Sequence, residues 1–283
     1  MQAPIIQLFD GGQIPQVGLG TAGLKGSNGV QAMLDALELG YRYLDTAYNY
    51  ENEGAVGRAL NTSGLARREI QVASKLPGRY HSKDDARIAI EESLYRTGLD
   101  YFDIYLIHWP NPIQDQYLEA WEALLEAQNA GLIRHVGTSN FLPEHLARIE
   151  EATGAKPVLN QVELHPYFQQ EPQRRYHEKH GILTQSWSPL GRYNTQFNTP
   201  VAELPIISKL AEQHDRSPAQ IILRWHIQLG AMPIPKSSHK ERLAETLSLF
   251  DFELSDDAMH AITKHDRPDG RNKDQDPAVY EEF

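Results

Sequence analysis

The chain has 283 residues, a formal net charge of −11 at pH 7 and no cysteine. The length suits one barrel-sized domain, 1–283, and the absence of cysteine excludes disulfides, thiolate metal sites and cysteine nucleophiles. The negative charge comes without a long basic block, which argues against nucleic acid or an anionic membrane surface as the main partner.

The first residues of the chain carry no targeting signal that we can identify. Positions 1–6 lack a basic segment followed by an apolar core, and no apolar run reaches membrane-spanning length. We therefore expect a cytoplasmic protein. Two short strand-like runs then flank Asp10 and Gly11, a pair that tolerates the positive φ of a hairpin turn. This pattern predicts an N-terminal β-hairpin.

After the hairpin, apolar strand candidates alternate with amphipathic helical patterns. The strand candidates are 18–21, 41–47, 70–75, 102–109, 134–140, 158–164, 182–189 and 231–236. The helical patterns are 30–39, 54–60, 84–97, 116–130, 143–152, 171–180, 218–228 and 240–249. Helix start signals stand at Ser82 and at Ser217-Pro218, and stop signals stand at Gly40, Gly98, Gly131, Gly181 and Gly230.

Repeated strand–helix units of this kind predict parallel strand pairing. The sheet is then either open and doubly wound or closed as an eightfold barrel, and eight units without a second domain favour closure. We therefore predict an α/β fold, a (β/α)8 TIM barrel that begins with the hairpin. The polar stretch 267–283, with its two prolines and its glycine, predicts an extended C-terminal tail.

Four polar groups stand at or just after the ends of three successive predicted strands. Asp45 ends one strand and Tyr50 lies in the turn that follows it, while Lys75 and His108 end the next two. Taken singly, each of them is more often a polar group satisfied by its neighbours than a catalytic residue. Because the loops after the strands build the active site of such a barrel, we expect the four to converge.

The chemistry of these groups suits proton transfer. A phenol has an ordinary pKa of about 10, and a nearby ammonium such as that of Lys75 lowers the pKa by stabilising the phenolate of Tyr50. Asp45 supplies the counter-ion that a buried lysine needs. His108 can donate to a carbonyl oxygen without becoming charged, or it can be a core histidine paired with backbone. Since none of these groups supplies electrons, carbonyl reduction would require a cofactor.

A possible cofactor site follows the last predicted strand. Lys236, Ser237, Ser238 and Arg242 give a hydroxyl- and cation-rich helix start, which can bind phosphate through backbone N–H groups and fixed charges. The alternative is an ordinary solvated helix cap. No G-x-G-x-x-G sequence opens a helix after the first strand, so a Rossmann-type site is disfavoured.

The chain resembles the aldo-keto reductases along nearly its whole length. The matching motifs are Gly-Tyr-Arg-Tyr-Leu-Asp-Thr-Ala at 40–47, Tyr-Glu-Asn-Glu at 50–53, Ser-Lys-Leu at 74–76, Leu-Ile-His-Trp-Pro at 106–110, Gly-Thr-Ser-Asn-Phe at 137–141, Asn-Gln-Val-Glu-Leu-His-Pro at 160–166 and Ile-Pro-Lys-Ser at 234–237. The chain looks closest to the bacterial branch that includes 2,5-diketo-gluconate reductases. One reason is that Trp187 stands where many relatives have tyrosine.

The resemblance implies a catalytic tetrad of Asp45, Tyr50, Lys75 and His108, with Tyr50 as proton donor, and it implies NADPH without a metal. By position, it assigns the nicotinamide carboxamide to Ser139, Asn140 and Gln161, stacking on the ring to Trp187, and the pyrophosphate to Leu190 and Gly191. It assigns the 2′-phosphate to Lys236, Ser237 and Arg242 and the adenine to Glu245. The remaining residues of the expected cofactor site are Thr21, Asp45, Ser188 and Ser238.

The expected carbonyl pocket is small and largely apolar. Its predicted substrate-binding residues are Leu24, Tyr48, Tyr50, His108 and Trp109, although an apolar member of this set can equally be barrel packing. The chain departs from the family at Pro77-Gly78, where relatives commonly have an aromatic residue after Lys-Leu. The short loop 111–116 and the polar loop 192–200 suggest a mouth open to hydrophilic carbonyls such as keto-sugars or methylglyoxal.

Three functions compete at this point. The first is an NADPH-dependent reductase of aldehydes and ketones, acting as a monomer; the second is a cofactor-binding regulatory or sensor protein with negligible turnover. The third is a barrel hydrolase or isomerase, which needs a metal cluster or paired acids. We expect Glu163 and His165 to face opposite sides of their strand, which argues against the third function. The intact tetrad favours the first.

Overall fold

The computed structural model describes residues 3–191, 199–272 and 275–283. Most of the predicted polar loop 192–200 lies outside these residues. A two-stranded antiparallel hairpin, β1 (Ile5–Gln7) and β2 (Gln13–Pro15), precedes a parallel sheet of eight strands. These eight strands are β3 (Leu19–Gly20), β4 (Tyr43–Asp45), β5 (Gln71–Leu76), β6 (Phe102–Ile107), β7 (Ile133–Ser139), β8 (Leu159–Glu163), β9 (Leu183–Trp187) and β10 (Met232–Pro233).

The part of the chain that the structure describes contains ten α-helices. They are α1 (Gly26–Leu39), α2 (Glu53–Thr62), α3 (Lys83–Thr97), α4 (Tyr117–Asn129), α5 (Pro143–Thr153), α6 (Glu171–His180), α7 (Pro205–His214), α8 (Pro218–Gln228), α9 (Lys240–Glu245) and α10 (Asp256–Thr263). Two of them, α7 and α10, are absent from the helices predicted above. None of the helices in these ranges is long and apolar enough to cross a membrane.

The two unpredicted helices carry start signals in the sequence. α7 begins with Pro205 in its first turn and buries Ile207 and Leu210 in a cluster with residues of α8 and α10. α10 begins after Ser255, whose hydroxyl accepts a hydrogen bond of 3.2 Å from the backbone N–H of Ala258. Both are short, and short apolar runs give a weak periodic signal.

The sheet closes into a barrel. Each strand from β3 to β10 pairs in parallel with the next one along the chain. The first and last strands are then joined by backbone hydrogen bonds from Gly18 to Pro233 (3.2 Å) and from Gly20 to Pro235 (3.0 Å). The predicted (β/α)8 barrel is therefore confirmed.

The hairpin covers the end of the barrel where the strands begin. Gln71, the first residue of β5, donates to the carbonyl of Gln13 at 2.5 Å, and His135, near the start of β7, lies 2.6 Å from Asp10. Ile14 is fully buried in a cluster with strand side chains such as Tyr43. The opposite end, where the strands finish, is left for the functional groups.

The C-terminal residues form the predicted tail, and this tail folds back over the finishing end of the barrel. Asn111, which follows β6, exchanges two hydrogen bonds with the backbone of Glu282, of 2.8 and 3.0 Å. The backbone N–H of Ile113 donates to the carboxylate of Glu281 at 2.7 Å. The tail is thereby fixed to the loop after β6.

Candidate active site

Two adjacent strands and the turn after the first of them bring the acid, the lysine and the phenol together. Asp45 ends β4 and Lys75 lies near the end of the neighbouring β5, with 1% and 0% of their surfaces exposed. The Lys75 Nζ donates to Asp45 Oδ1 at 2.5 Å, to the carbonyl of Thr46 at 2.8 Å and to the Tyr50 hydroxyl at 3.4 Å. A single buried ammonium therefore connects the carboxylate to the phenol.

A second set of contacts holds Asp45 in place. Its Oδ2 accepts a hydrogen bond of 2.8 Å from Gln161 on β8, which also donates to Gln185 on β9 at 2.5 Å. The Thr21 hydroxyl donates to the backbone carbonyl of Asp45 at 2.9 Å. Because the buried carboxylate is bonded on both oxygens, its charge stays paired inside the barrel.

The surroundings of Tyr50 and Lys75 determine the protonation of these two groups. Burial raises the pKa of Tyr50, and this effect outweighs the lowering that the Lys75 charge produces, so the net pKa of the phenol lies above 10.0. Burial works to lower the pKa of Lys75, but the charges of Asp45 and Tyr50 more than compensate and the net pKa lies above 10.5. Near neutral pH both groups therefore hold their protons. The expected lowering by Lys75 is present, although it does not decide the direction.

His108 follows β6 directly and lies beside Tyr50. The two ring centroids are 5.9 Å apart with the planes at 77°. Asn140 donates to the backbone carbonyl of His108 at 3.0 Å. The ring Nδ1 lies 2.8 Å from Oε1 of Glu282, a close contact in which the ring N–H is poorly aligned with the oxygen.

These groups open into a cavity of about 370 Å³ at the finishing end of the barrel. Its walls combine the catalytic candidates with the ends of β7 to β10 and with the tail. The described residues that line it are Gly20, Thr21, Ala22, Asp45, Tyr50, His108, Trp109, Ser139, Asn140, Gln161, Trp187, Ser188, Pro189, Leu190, Ile234, Pro235, Lys236, Asn272, Gln275, Tyr280 and Glu282.

Most of the residues expected near nicotinamide lie together on one wall of this cavity. The Trp187 indole donates to Asn140 Oδ1 at 2.8 Å, and the Ser139 hydroxyl donates to the carbonyl of Gln161 at 2.9 Å. Asn140 has a positive φ of 61°, a backbone conformation uncommon for residues other than glycine. This wall offers amide and hydroxyl groups and one large indole surface.

The residues expected around the 2′-phosphate lie toward the rim. Lys236 lines the cavity, whereas Gly191, Ser237, Ser238, Arg242 and Glu245 are not among its described lining residues. The Ser237 hydroxyl accepts a hydrogen bond of 3.1 Å from the backbone N–H of His239, ahead of α9. Within the described ranges, no acidic side chain pairs with Lys236 or Arg242.

Two residues expected in the substrate pocket lie elsewhere. Leu24 is buried in the layer between barrel and helices. Tyr48 accepts a hydrogen bond of 2.8 Å from Arg96 and packs edge-on against Tyr80, with ring centroids 5.4 Å apart. Neither of them is among the described residues that line the cavity. Their contact with substrate remains a prediction. Trp109, Tyr50 and His108 do line it.

Residues of the tail complete the cavity, and no sequence motif pointed to them. Tyr280 packs on Trp109 with ring centroids 4.5 Å apart, and Glu282 reaches His108. Gly78, in the segment that departs from the family, provides the space for this arrangement. A Cβ at Gly78 would lie 2.5 Å from the backbone oxygen of Glu282 and would also collide with the Asn111 amide.

The expectation that Glu163 and His165 face opposite sides of their strand was wrong. Glu163 and His165 do not face opposite sides, since the His165 Nε2 lies 2.8 Å from Glu163 Oε1 and both are buried. Residues two positions apart on an extended segment share a face. The backbone N–H of Asn272 also donates to Glu163 Oε1 at 2.8 Å. In the described part of the chain, no group of three or more His, Asp or Glu side chains is arranged to hold a metal ion.

Comparison with known proteins agrees with this geometry. The family model of the aldo/keto reductase family matches residues 16–267. The chain is 46% identical to 2,5-diketo-D-gluconic acid reductase B of Corynebacterium sp., covering 99% of both chains, and 42% identical to methylglyoxal reductase DkgA of Yersinia pestis, covering 98% and 97%. A crystal structure of an aldo-keto reductase of Bombyx mori in complex with NADP superimposes with a TM-score of 0.91 at 36% identity, covering 100% of this chain and 99% of that one.

The family match spans most of the chain, and the relatives align over almost their full lengths. The resemblance read from the motifs, including the likeness to the bacterial 2,5-diketo-gluconate reductase branch, is thereby confirmed. The chain belongs to the aldo/keto reductase family.

Proposed function

We propose that the protein reduces aldehydes and ketones to alcohols with NADPH. The observation that carries this proposal is the buried relay of Asp45, Lys75 and Tyr50, which opens beside His108 into a cavity of about 370 Å³. The phenol and the imidazole line one wall of this cavity, and the amide groups of Asn140 and Gln161 line another.

Tyr50 is the proposed general acid. Its phenol holds a proton near neutral pH because its pKa lies above 10.0, mainly through burial. As the carbonyl oxygen gains negative charge, the phenol can donate its proton, and the Lys75 ammonium 3.4 Å away stabilises the phenolate that remains. Asp45 keeps that ammonium in place. His108 is proposed to orient the carbonyl oxygen toward Tyr50.

The residues of the cavity fit a nicotinamide cofactor. Ser139, Asn140 and Gln161 offer the donors and acceptors that a carboxamide needs, and Trp187 offers an aromatic face. Lys236 and Arg242 carry positive charges unpaired within the described ranges, as a 2′-phosphate requires. When bound, NADPH supplies the hydride. The proposed cofactor site also includes Thr21, Asp45, Ser188, Leu190, Gly191, Ser237, Ser238 and Glu245.

The proposed substrates are keto-sugars, methylglyoxal and small aldehydes. The names of two relatives, a 2,5-diketo-D-gluconic acid reductase and a methylglyoxal reductase, support this range of carbonyl compounds. Trp109 and Tyr280 form an aromatic wall close to His108, which suits a small carbonyl compound.

The direct test is NADPH oxidation with a panel of aldehydes and ketones, followed through the near-ultraviolet absorbance of reduced nicotinamide. We expect turnover on several members of the panel. The regulatory alternative predicts the opposite result, namely tight NADPH binding, seen by quenching of tryptophan fluorescence, without oxidation by any carbonyl. That result would refute the proposed function.

We further propose that residues 1–283 form one domain and that the protein acts as a cytoplasmic monomer without nucleic-acid or membrane partners. The net charge of −11 supports the exclusion of polyanionic partners. Light scattering that gives a mass near 32.1 kDa would support the monomer, and twice that mass would refute it.

A further inference from the structure

Among the described residues of the tail, Glu282 is the one whose side chain reaches the imidazole of His108. Only 8% of its surface is exposed. Its Oε1 lies 2.8 Å from His108 Nδ1 and accepts a hydrogen bond of 2.9 Å from Asn49, while its Oε2 accepts one of 3.2 Å from the backbone N–H of Gly78. Three separate loops of the barrel therefore converge on this carboxylate.

The position of the carboxylate is fixed by the backbone as well. The two hydrogen bonds between Asn111 and the Glu282 backbone anchor the residue next to the loop after β6. The absence of a side chain at Gly78 leaves room for the Glu282 carbonyl. Glu282 is thus a fixed wall of the cavity, since rotation of its side chain would break three contacts at once.

Glu282 is ionised at neutral pH. Burial works to raise the pKa of its carboxyl group, but the charge and proximity of His108, with the donors from Asn49 and Gly78, outweigh burial, and the net pKa lies below the ordinary 4.5. The carbonyl end of the cavity therefore contains a fixed negative charge beside the residue that is proposed to orient the substrate.

Among the described residues that line this end of the cavity, no positive charge is left without a partner to receive an anionic substrate. Among the described lining residues, the charged or titratable groups with ion-pair partners are Asp45, paired with Lys75, and His108, paired with Glu282. Lys236 follows β10, four strands away from β6 and hence across the barrel, and we propose it for the cofactor phosphate. With His108 protonated the His108–Glu282 pair is neutral, and with His108 unprotonated the pair is negative.

We propose that Glu282 is a specificity-determining residue that selects uncharged aldehydes and ketones over carbonyl compounds that carry a carboxylate near the carbonyl group. The inference rests on the proposed function and narrows its substrate class toward methylglyoxal, neutral keto-sugars and simple aldehydes. It sets the protein apart from its relative named for 2,5-diketo-D-gluconic acid, a compound with a carboxylate beside a ketone. Like charges a few ångströms apart in a partly buried site repel strongly enough to change kcat/KM by roughly tenfold or more.

The test compares glyoxylate with its methyl ester, two small aldehydes of similar shape that differ in charge. The quantity measured is the ratio of kcat/KM for the ester to kcat/KM for the acid. Glu282→Gln keeps the shape of the side chain and removes its charge, and we expect it to lower this ratio by about tenfold relative to the wild type. The intrinsic reactivities of the two aldehydes cancel in that comparison.

Glu281→Gln is the matched control, because it removes a neighbouring charge of the tail that contacts Ile113 and not His108. We expect the control to keep the wild-type ratio. An unchanged ratio in Glu282→Gln, including an equal fall on both substrates, would overturn the inference alone. An equal change in both variants would overturn it as well, since the effect would then come from net charge. Absence of wild-type turnover on the ester and on every other carbonyl compound of the panel would instead overturn the proposed function.

Discussion

The buried pair of Lys75 and Asp45 predicts a specific loss of stability when one partner is removed. Lys75→Met keeps the length of the side chain but removes the ammonium. The Asp45 carboxylate is only 1% exposed, and it would keep one side-chain donor, Gln161 at 2.8 Å. Leaving a buried charge without its partner costs about 3–5 kcal/mol. That is a large fraction of the roughly 5–15 kcal/mol by which native proteins are stable.

Urea denaturation of the wild type, Lys75→Met, Asp45→Asn and the double variant measures this effect. The double variant leaves no unpaired charge, so we expect its loss in the free energy of unfolding to be well below the sum of the two single losses. Two results would refute this reasoning: a loss of unfolding free energy under about 1 kcal/mol in Lys75→Met, or strictly additive losses in the double variant. Either result would mean that an unpaired buried charge is not what destabilises the single variants.

Three further predictions follow from other parts of the structure. Lys236→Ala, alone or with Arg242→Ala, should raise the KM for NADPH by roughly tenfold or more, because a charge-assisted hydrogen bond to the 2′-phosphate is lost. The KM for NADH should stay nearly unchanged, and equal effects on both cofactors in steady-state kinetics would contradict the assignment. Burial lowers the pKa of His177 to about 3, below the ordinary 6.5, so its contribution to stability is present above about 6.5 and is lost as the pH falls toward 3. The free energy of unfolding of His177→Gln should therefore fall less steeply with decreasing pH, by about 1.4 kcal/mol per pH unit between these values. Urea denaturation at several acidic pH values measures this slope, and the wild-type slope in the variant would contradict the prediction. Gly78→Ala should displace the tail, since its Cβ would lie 2.5 Å from the Glu282 carbonyl; we expect faster proteolysis of the tail, and an unchanged digestion pattern would contradict this.

The sequence predicted the centre of the site well because strand order determines it. Asp45, Lys75 and His108 stand at or near the ends of β4, β5 and β6, which are consecutive in the chain and adjacent in the sheet. Parallel strands joined by helices bring their ends to the same face of the barrel. The alternation of apolar runs was therefore enough to place these residues together.

The tail could not be predicted in the same way. Residues 267–283 have no periodic pattern, and the contact of Asn111 with Glu282 joins positions 171 residues apart. The contact also depends on the small size of Gly78, and the sequence showed this glycine only as a departure from the family. Nothing local in the sequence distinguishes Glu282 from an ordinary surface acid.

The sequence also could not predict the direction of a pKa shift to which burial and a nearby charge contribute with opposite signs. The proximity of Lys75 predicts a lower pKa for Tyr50, but burial has the larger effect and the net pKa is raised. Only the packed structure shows which of the two effects is the larger. The pairing of Glu163 with His165 was missed for a simpler reason, since the two-residue period of extended chain was misapplied.

Replacement of Tyr50 by phenylalanine tests the central claim most directly. The substitution keeps the ring beside His108 and removes only the hydroxyl that lies 3.4 Å from the Lys75 Nζ. We expect kcat for carbonyl reduction to fall by about 10²–10⁴-fold or more, as for the loss of a general acid, while NADPH binding measured by tryptophan fluorescence is retained. Undiminished turnover in Tyr50→Phe would contradict the account, because the proton would then come from another group.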